Sequence, residues 1–470
     1  MTLATALTTL YLLVLAALAL YALHVTLLLC LYLRHRHDPI PLPPPITDPY
    51  PAVTVQLPVR NEGAMAVRLL RAVAAFDWPR EALQLQVLDD SNDETTALLQ
   101  AEIERLREEG FDAEMLHRDH PVGFKAGAMA AAMPTVRGAF VAIFDADFIP
   151  PGDFLRRTVP YFLLRPRLGM IQTRWKHRNA EHNLITRVQA MLLDAHFAIE
   201  HVARNRSGLL INFNGTAGLW RKAAILDAGG WQGDTLTEDL DLSYRAQLRG
   251  WQALYLPGIT ASAELPPTLT AFQQQQYRWA KGSAQVLRKL ALPILRSPVL
   301  SRPQKIMALF HLSGYFTQVL LLALMVLSLP APPLPPPLTT LFSILLSIPP
   351  LLYFLAQIDL YRDWPRRLIV YPLLMLIGTG LAWSNTLAWF DGLIHRGGEF
   401  VRTPKGSHPP APWRKERLFL LGEGLLLGEA LFAAGMAYRR GVPGRLPLAL
   451  FYATAMATML IATLRRRLTK

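Results

Sequence analysis

An α/β fold with a mostly parallel sheet, set between an N-terminal transmembrane helix and a C-terminal transmembrane helical region, is what this sequence predicts. Three observations lead there. Apolar residues crowd into the two ends of the chain, 1–33 and 305–465. Between them, short apolar or β-branched runs alternate with helix-like stretches, the pattern of a sheet with helices on both faces. Polar clusters fall where the apolar runs stop, and ligands of such sheets bind beyond the C-terminal ends of the strands.

The first element is "LATALTTLYLLVLAALALYALHVTLLLCLYL", residues 3–33. A crossing helix needs about 20 apolar residues. The run lacks the basic start and small-residue cleavage site of a secretory signal, so a retained helix is expected over 1–33. "RHRH" follows at 34–37 and assigns that end to the cytoplasm. Residues 34–51 are a proline-rich linker that can form neither a helix nor a central strand.

Residues 52–268 are then expected as one cytoplasmic domain. "AVTVQLPV", "LQLQVLDD" and "GAFVAIFDAD" read as strands, with helices at 64–76, 93–109 and 124–133. An interfacial segment is expected at 269–304. In the remainder, 305–470, spans are expected near 306–330, 338–357, 418–438 and 446–464. Residues 369–394 have basic loops at both ends, so the expectation there is an interfacial or re-entrant helix.

Composition narrows the function. Of the 470 residues, 51% are hydrophobic, and the formal net charge is +13. No compact Lys/Arg block with interleaved aromatics appears, which argues against a nucleic-acid partner. Much of the basic excess flanks apolar runs, where it sets topology and meets membrane lipids. The single cysteine, Cys30, excludes a disulfide framework or a cysteine zinc site.

Several clusters can carry chemistry. In "FDADFIP", Asp145 and Asp147 would project to one side of an extended chain, where they fit either a solvated turn or a hard divalent cation. In "VLDDSNDET", Asp89 and Asp90 follow an apolar strand; a cap explains one acid, and a sugar hydroxyl or base edge suits the other. Lys125 in "VGFKAGAM" stands at a helix start beside glycines, within reach of a phosphate or simply solvated. "NFNGTAGLW" (212–220) offers Gly215 and Thr216 in a turn that lets a ligand approach the backbone. In "LTEDLD", Glu238 and Asp239 open a helix, where its dipole alone would favour acids. In "FQQQQYRWAKGS" (272–283), Arg278 and Trp279 would also suit an interfacial anchor.

In order, "VLDDS", "FKAGA", "FDADF", "FNGTAG", "LTEDLD" and "QQYRW" resemble the membrane-embedded processive family 2 glycosyltransferases, above all the cellulose synthase-like mannosyltransferase group. The resemblance covers residues 50–290 and "FVRTPKG" (400–406). It implies a GT-A type nucleotide-sugar domain on the cytoplasmic side of a cell (inner) membrane. By resemblance, Asp90 with Asp89 would hold the nucleoside of the donor. Asp145 and Asp147 would take the diphosphate through Mg²⁺ or Mn²⁺, with Lys125 helping. Asp239 would be the general base. Gln275 and Arg278 would hydrogen-bond the diphosphate, and Trp279, Gly215, Thr216 and Glu238 would meet the acceptor. Arg402, Thr403 and Lys405 would belong to a gating loop. The expected reaction is inverting transfer of a hexose, from GDP-mannose or UDP-glucose, to a growing β-linked polysaccharide. The alternative is one transfer to a lipid acceptor, in the manner of ceramide glucosyltransferases. A transporter or scaffold would have no use for paired acids at strand ends. The chain ends soon after its last apolar run, so the C-terminal β-barrel of cyclic-dinucleotide-regulated relatives is not expected.

Overall fold

The computed structural model describes residues 3–330, 334–398, 415–440 and 445–468. The gating-loop expectation at 400–406, with Arg402, Thr403 and Lys405, lies outside the described residues.

A seven-stranded sheet forms the centre of the polar part. Its strands are β1 (Val53–Val59), β2 (Leu83–Asp89), β3 (Asp112–His117), β4 (Phe140–Ile143), β5 (Leu168–His177), β6 (Gly218–Arg221) and β7 (Gln252–Ala263), in the order β3-β2-β1-β4-β6-β5-β7. β6 runs antiparallel to both its neighbours, β4 and β5, and the other pairings are parallel. β1 and β2 are buried along almost their whole length. That is what a sheet covered on both faces requires.

Helices Ala64–Ala74, Thr95–Glu108 and Phe154–Leu164 cover one face through Leu69, Leu70, Leu99, Ile103, Phe154 and Phe162. On the other face Met129 and Ala132 of the helix Phe124–Ala132 join Phe197, Ala203 and Trp220. The same cluster takes in Leu28, Leu29 and Tyr32 of the helix Leu3–His35, so the N-terminal helix docks directly onto this layer. The strand order reverses between β1 and β4, and the crevice at their C-terminal ends is where ligands of such sheets sit.

Among the described residues, four helices are long and apolar enough to cross a membrane: Thr5–His35, Pro336–Leu360, Glu416–Arg439 and Leu446–Arg467. They mark the chain as a membrane protein. Two further helix pairs pass the same test but are bent. The expected span at 306–330 is one of them: Arg302–Leu312 and Phe316–Ser328 meet at 60°. The helix breaks at Ser313–Tyr315, where the Tyr315 hydroxyl donates to Gln276 Oε1 at 2.9 Å. Residues 364–394 form the other pair, Trp364–Gly380 and Ala382–Ile394, bent by 47°.

The expected interfacial segment begins as one 28-residue helix, Leu269–Arg296, whose N-cap Thr268 accepts from the Ala271 amide. It lies between the sheet domain and the apolar helices. Tyr277 and Lys281 bond to Asp391 of the helix Ala382–Ile394, at 3.0 Å each. Gln273 donates to Glu423 of the helix Glu416–Arg439.

Candidate active site

One cavity of about 780 Å³ opens at the C-terminal ends of β1, β2 and β4 and continues between the apolar helices. Its polar end is lined by Arg60, Asp90, Lys125, Asp145 and Asp147. Gly215, Glu238, Asp239, Gln275, Arg278 and Trp279 line its middle. Its far end is lined by Gln318, Leu346, Leu374, Gly378 and Asn385.

Asp145 and Asp147 do not stand on a strand. β4 ends at Ile143, and the Phe148 amide donates to the Asp145 carbonyl at 2.9 Å, closing a turn. The turn still delivers both carboxylates to the cavity. The Lys125 ammonium donates to Asp145 Oδ1 at 2.5 Å and to the Gly215 carbonyl at 2.8 Å. Lys125 thus ties the acidic turn to the "FNGTAG" loop. Burial opposes its charge, but Asp145, Glu238 and Asp239 together raise its pKa.

Asp239 sits in the first turn of the helix Glu238–Leu248. Its Oδ1 accepts from the Leu240 amide at 2.8 Å. Its Oδ2 faces Gly215, whose φ is +80° and where an added Cβ would lie 3.0 Å from that oxygen. Only glycine adopts this backbone without strain while leaving the oxygen clear. Burial, then the charge of Glu238, pushes Asp239 up to about 7. Burial raises Glu238 as well. A carboxylate that titrates near neutrality suits proton abstraction.

Gln275, Arg278 and Trp279 lie at i, i+3 and i+4 on the helix Leu269–Arg296, hence on one face. All three line the cavity. Burial lowers the Arg278 pKa against the opposing pull of Glu238, Asp145 and Asp239. Gly282 lets this helix approach the Asp239 loop, since a Cβ there would meet Thr237 Cγ2 at 2.5 Å.

Two expected site residues stand elsewhere. Asp89 does not line the cavity with Asp90. Its carboxylate is fully buried and accepts from the Ser91 amide, the Thr96 hydroxyl and His117 Nδ1. It braces the loop because the next residue, one step along an extended chain, takes the opposite direction. Asp90 is held bidentately by Arg118, at 2.7 and 2.6 Å. Thr216 is also buried behind the cavity, where its hydroxyl accepts from the Asp145 amide at 2.9 Å.

Two carboxylates, one buried and one a third exposed, match a small hard cation that completes its shell with phosphate oxygens and water. Among the described residues, no group of three or more His, Cys, Asp or Glu is placed to hold a metal by protein ligands alone.

A polar cluster in the cavity wall was not expected from the motifs. It comprises His196 and Glu200 on a π-helical stretch, Ala195–Glu200, with Arg204 and His311. Burial alone would raise Glu200, but the His196 hydrogen bond and the Arg204 charge hold it well below the usual range. The signal available in the sequence was the i, i+4 spacing of His196, Glu200 and Arg204.

Residues 51–282 match the family model described as Glycosyltransferase like family 2. Glucomannan 4-beta-mannosyltransferase 9 of Arabidopsis thaliana is 36% identical over 365 residues, 76% of this chain and 68% of that protein. The chain belongs to the family 2 glycosyltransferases. Glucomannan 4-beta-mannosyltransferase 1 of Oryza sativa subsp. japonica is 40% identical to this family 2 chain over 284 residues, 59% of the chain and 54% of the rice protein. The chain thus spans about half the length of the first curated relatives it matches. A mannosyltransferase from Pyrobaculum calidifontis, solved in complex with GDP-Man and Mn2+, superposes with a TM-score of 0.57 at 19% identity, covering 83% of this family 2 chain and 99% of its own. That likeness shows the GT-A fold, as the sequence resemblance implied.

Proposed function

We propose that this protein transfers a hexose, with inversion, from a nucleotide sugar to a growing β-linked polysaccharide. The observation that carries the reading is the single cavity running from Asp90, past Asp239 and Trp279, to Asn385 among the apolar helices. The names of the curated relatives favour mannose as the sugar.

The donor's nucleoside end lies by Arg60 and Asp90, and its diphosphate by Lys125 and Arg278. Asp239 Oδ2 takes the proton from the acceptor hydroxyl as its oxygen attacks the anomeric carbon. The bond from that carbon to the diphosphate oxygen breaks on the opposite side, so an α-linked donor yields a β-linked product. Lys125 and Arg278 neutralise the charge that develops on the leaving diphosphate, an interaction strongest in a buried site. Mg²⁺ or Mn²⁺ held by Asp145 and Asp147 would supply further Lewis-acid neutralisation there. Trp279 offers a flat apolar face to the acceptor ring, and Gly215 leaves room for it beside Asp239. The basic flank after the N-terminal helix supports a cytoplasmic catalytic domain in the cell membrane.

The apolar lining contributed by Leu346, Leu374 and Ile377 favours a second reading, a single transfer to a membrane lipid. One experiment separates the two. The protein in lipid nanodiscs is given labelled GDP-mannose, UDP-glucose, UDP-N-acetylglucosamine or UDP-galactose with Mg²⁺ or Mn²⁺. Label in long polymer from one hexose donor is the expected result. Label confined to the lipid fraction establishes the second reading, and no transfer from any donor overturns both.

A further inference from the structure

The His196–Glu200 cluster fixes the direction of one amide in the cavity wall. Glu200 Oε2 lies 3.0 Å from His196 Nδ1. Its other oxygen accepts from Arg204 Nε at 3.0 Å, and His311 Nε2 is 3.9 Å away. Arg204 is itself buried and reaches His24 on the N-terminal helix. An ionised carboxylate only accepts hydrogen bonds, so His196 Nδ1 carries the hydrogen. The second ring nitrogen faces the amide nitrogen of Asn214, which only donates, so that ring nitrogen is the acceptor. That nitrogen lies 3.0 Å from Asn214 Nδ2, which donates to it. The Asn214 backbone is held too, its amide donating to Gln172 Oε1 at 2.8 Å.

The side-chain oxygen of Asn214 is left over. Oδ1 is buried and has no hydrogen-bond partner. Asn214 lines the cavity one residue before Gly215, the residue that faces Asp239 Oδ2. A buried acceptor without a donor costs free energy that a ligand recovers by supplying one. A sugar hydroxyl is such a donor.

We propose that Asn214 Oδ1 accepts a hydrogen bond from a hydroxyl of the acceptor sugar, and that His196 and Glu200 act as positioning residues which aim it. This rests on the glycosyl-transfer reading above. The relay makes the contact selective. An acceptor sugar lacking that hydroxyl, or holding it in the other configuration, leaves Oδ1 unpaired.

The test uses the full chain in nanodiscs, with GDP-mannose as donor and mannobiosides as acceptors, intact or lacking one hydroxyl each. Asn214→Ala is expected to lower kcat/KM for the intact acceptor by about ten- to a hundredfold, the range for a lost buried hydrogen bond. Its Kd for GDP-mannose should stay within about twofold of wild type. One monodeoxy acceptor should suffer the same loss with wild type, yet be used equally well by wild type and Asn214→Ala. His196→Ala should reproduce this pattern, and the double variant should be no worse than either single one. A merely structural role would not make a variant blind to one hydroxyl. Should Asn214→Ala fail to fold, Asn214→Ser, too short to reach, carries the same comparison. The acceptors are also titrated for binding without donor. A wild type that transfers nothing would sink the activity reading, while the binding comparison still decides Asn214. The proposal is overturned if every monodeoxy acceptor loses as much with the variant as with wild type, or if the loss appears in donor binding alone.

Discussion

At the scale of the residue, the site is a balance between burial and charge. Asp239, Glu238 and Asp145 place three acids around Lys125 and Arg278. The cations keep the acids from all being neutralised, while burial and Glu238 keep Asp239 near neutrality rather than fully acidic. In its proposed role as base Asp239 must be ionised, and it loses its charge below about pH 7. The kcat/KM profile should therefore rise with pH through about 7 and flatten above it, since this ratio reports the free enzyme. Asp239→Asn should lower kcat by about 10²–10⁴-fold and abolish that limb, with nucleotide binding retained. An unchanged limb in the variant would assign the titration to another group.

The acidic turn yields a second prediction at this scale. Chelation with EDTA should weaken binding of GDP-mannose, and Mn²⁺ or Mg²⁺ should restore it. Asp147→Ala should bind the donor weakly with or without metal. Donor affinity indifferent to EDTA would remove the cation from the proposed mechanism. Asp89 and Thr216, by contrast, act on the loops behind the cavity through buried hydrogen bonds.

At the scale of the element, the helix Leu269–Arg296 explains its own odd sequence. The run of glutamines that looks like low complexity divides among different neighbours. Gln275 faces the cavity, Gln273 bonds to Glu423, and Gln276 accepts from Tyr315. A buried helix with polar partners on several sides needs polar side chains in consecutive positions. Gly282 sets how near this helix comes to Thr237, two residues before Asp239. Gly282→Ala should cost about 1–3 kcal/mol of stability by overpacking and reduce turnover further, because Thr237 carries Glu238 and Asp239 with it. Adding Thr237→Ala removes the nearest atoms and should restore part of both. Melting temperature and turnover measured on the two variants check this; a double variant as impaired as the single one would exclude the steric explanation.

The strands show what alternation conceals. β1 and β2 read as apolar runs, yet Thr54, Gln56, Gln84 and Gln86 are buried among them. They form a ladder across the sheet, Thr54 to Gln84 at 2.7 Å and Gln56 to Gln86 at 3.0 Å. Facing polar residues on adjacent parallel strands satisfy one another. β3, β5, β6 and β7 were not read from the sequence. β6 is four residues long and inserts antiparallel between two strands far from it along the chain. No local periodicity announces such a pairing.

At the scale of the whole molecule, the two halves share one cavity, and this is where chain extension can be tested. Gly378 lines its far end, and a Cβ added there meets nothing within 4 Å. Gly378→Trp can therefore fill the passage without displacing backbone. The expected result is loss of long polymer, with transfer of the first sugars retained. Polymer of undiminished length would show that the product leaves by another route. The bend at Ser313–Tyr315 belongs to this scale too. A span was expected near 306–330, and hydropathy reports only how apolar a segment is, not where it bends. The bend falls where the Tyr315 hydroxyl bonds to Gln276 on another helix.

The sequence by itself determined the class of the sheet, the apolar ends and the family, because periodicity, run length and ordered motifs are local properties of the chain. It also named most residues of the cavity wall, from Asp90 and Lys125 to Arg278 and Trp279. Only the tertiary structure decided which of Asp89 and Asp90 faces the cavity. Asp89 and Asp90, one step apart on an extended chain, take opposite directions, whereas Asp145 and Asp147, two apart, both reach the cavity from a turn. It alone brought His196, Glu200 and Arg204 beside Asn214, since nothing in the sequence relates the two segments. The contact exists because the Glu200 carboxylate and the Asn214 amide, both largely withdrawn from water, each require a partner, and folding supplies one through His196.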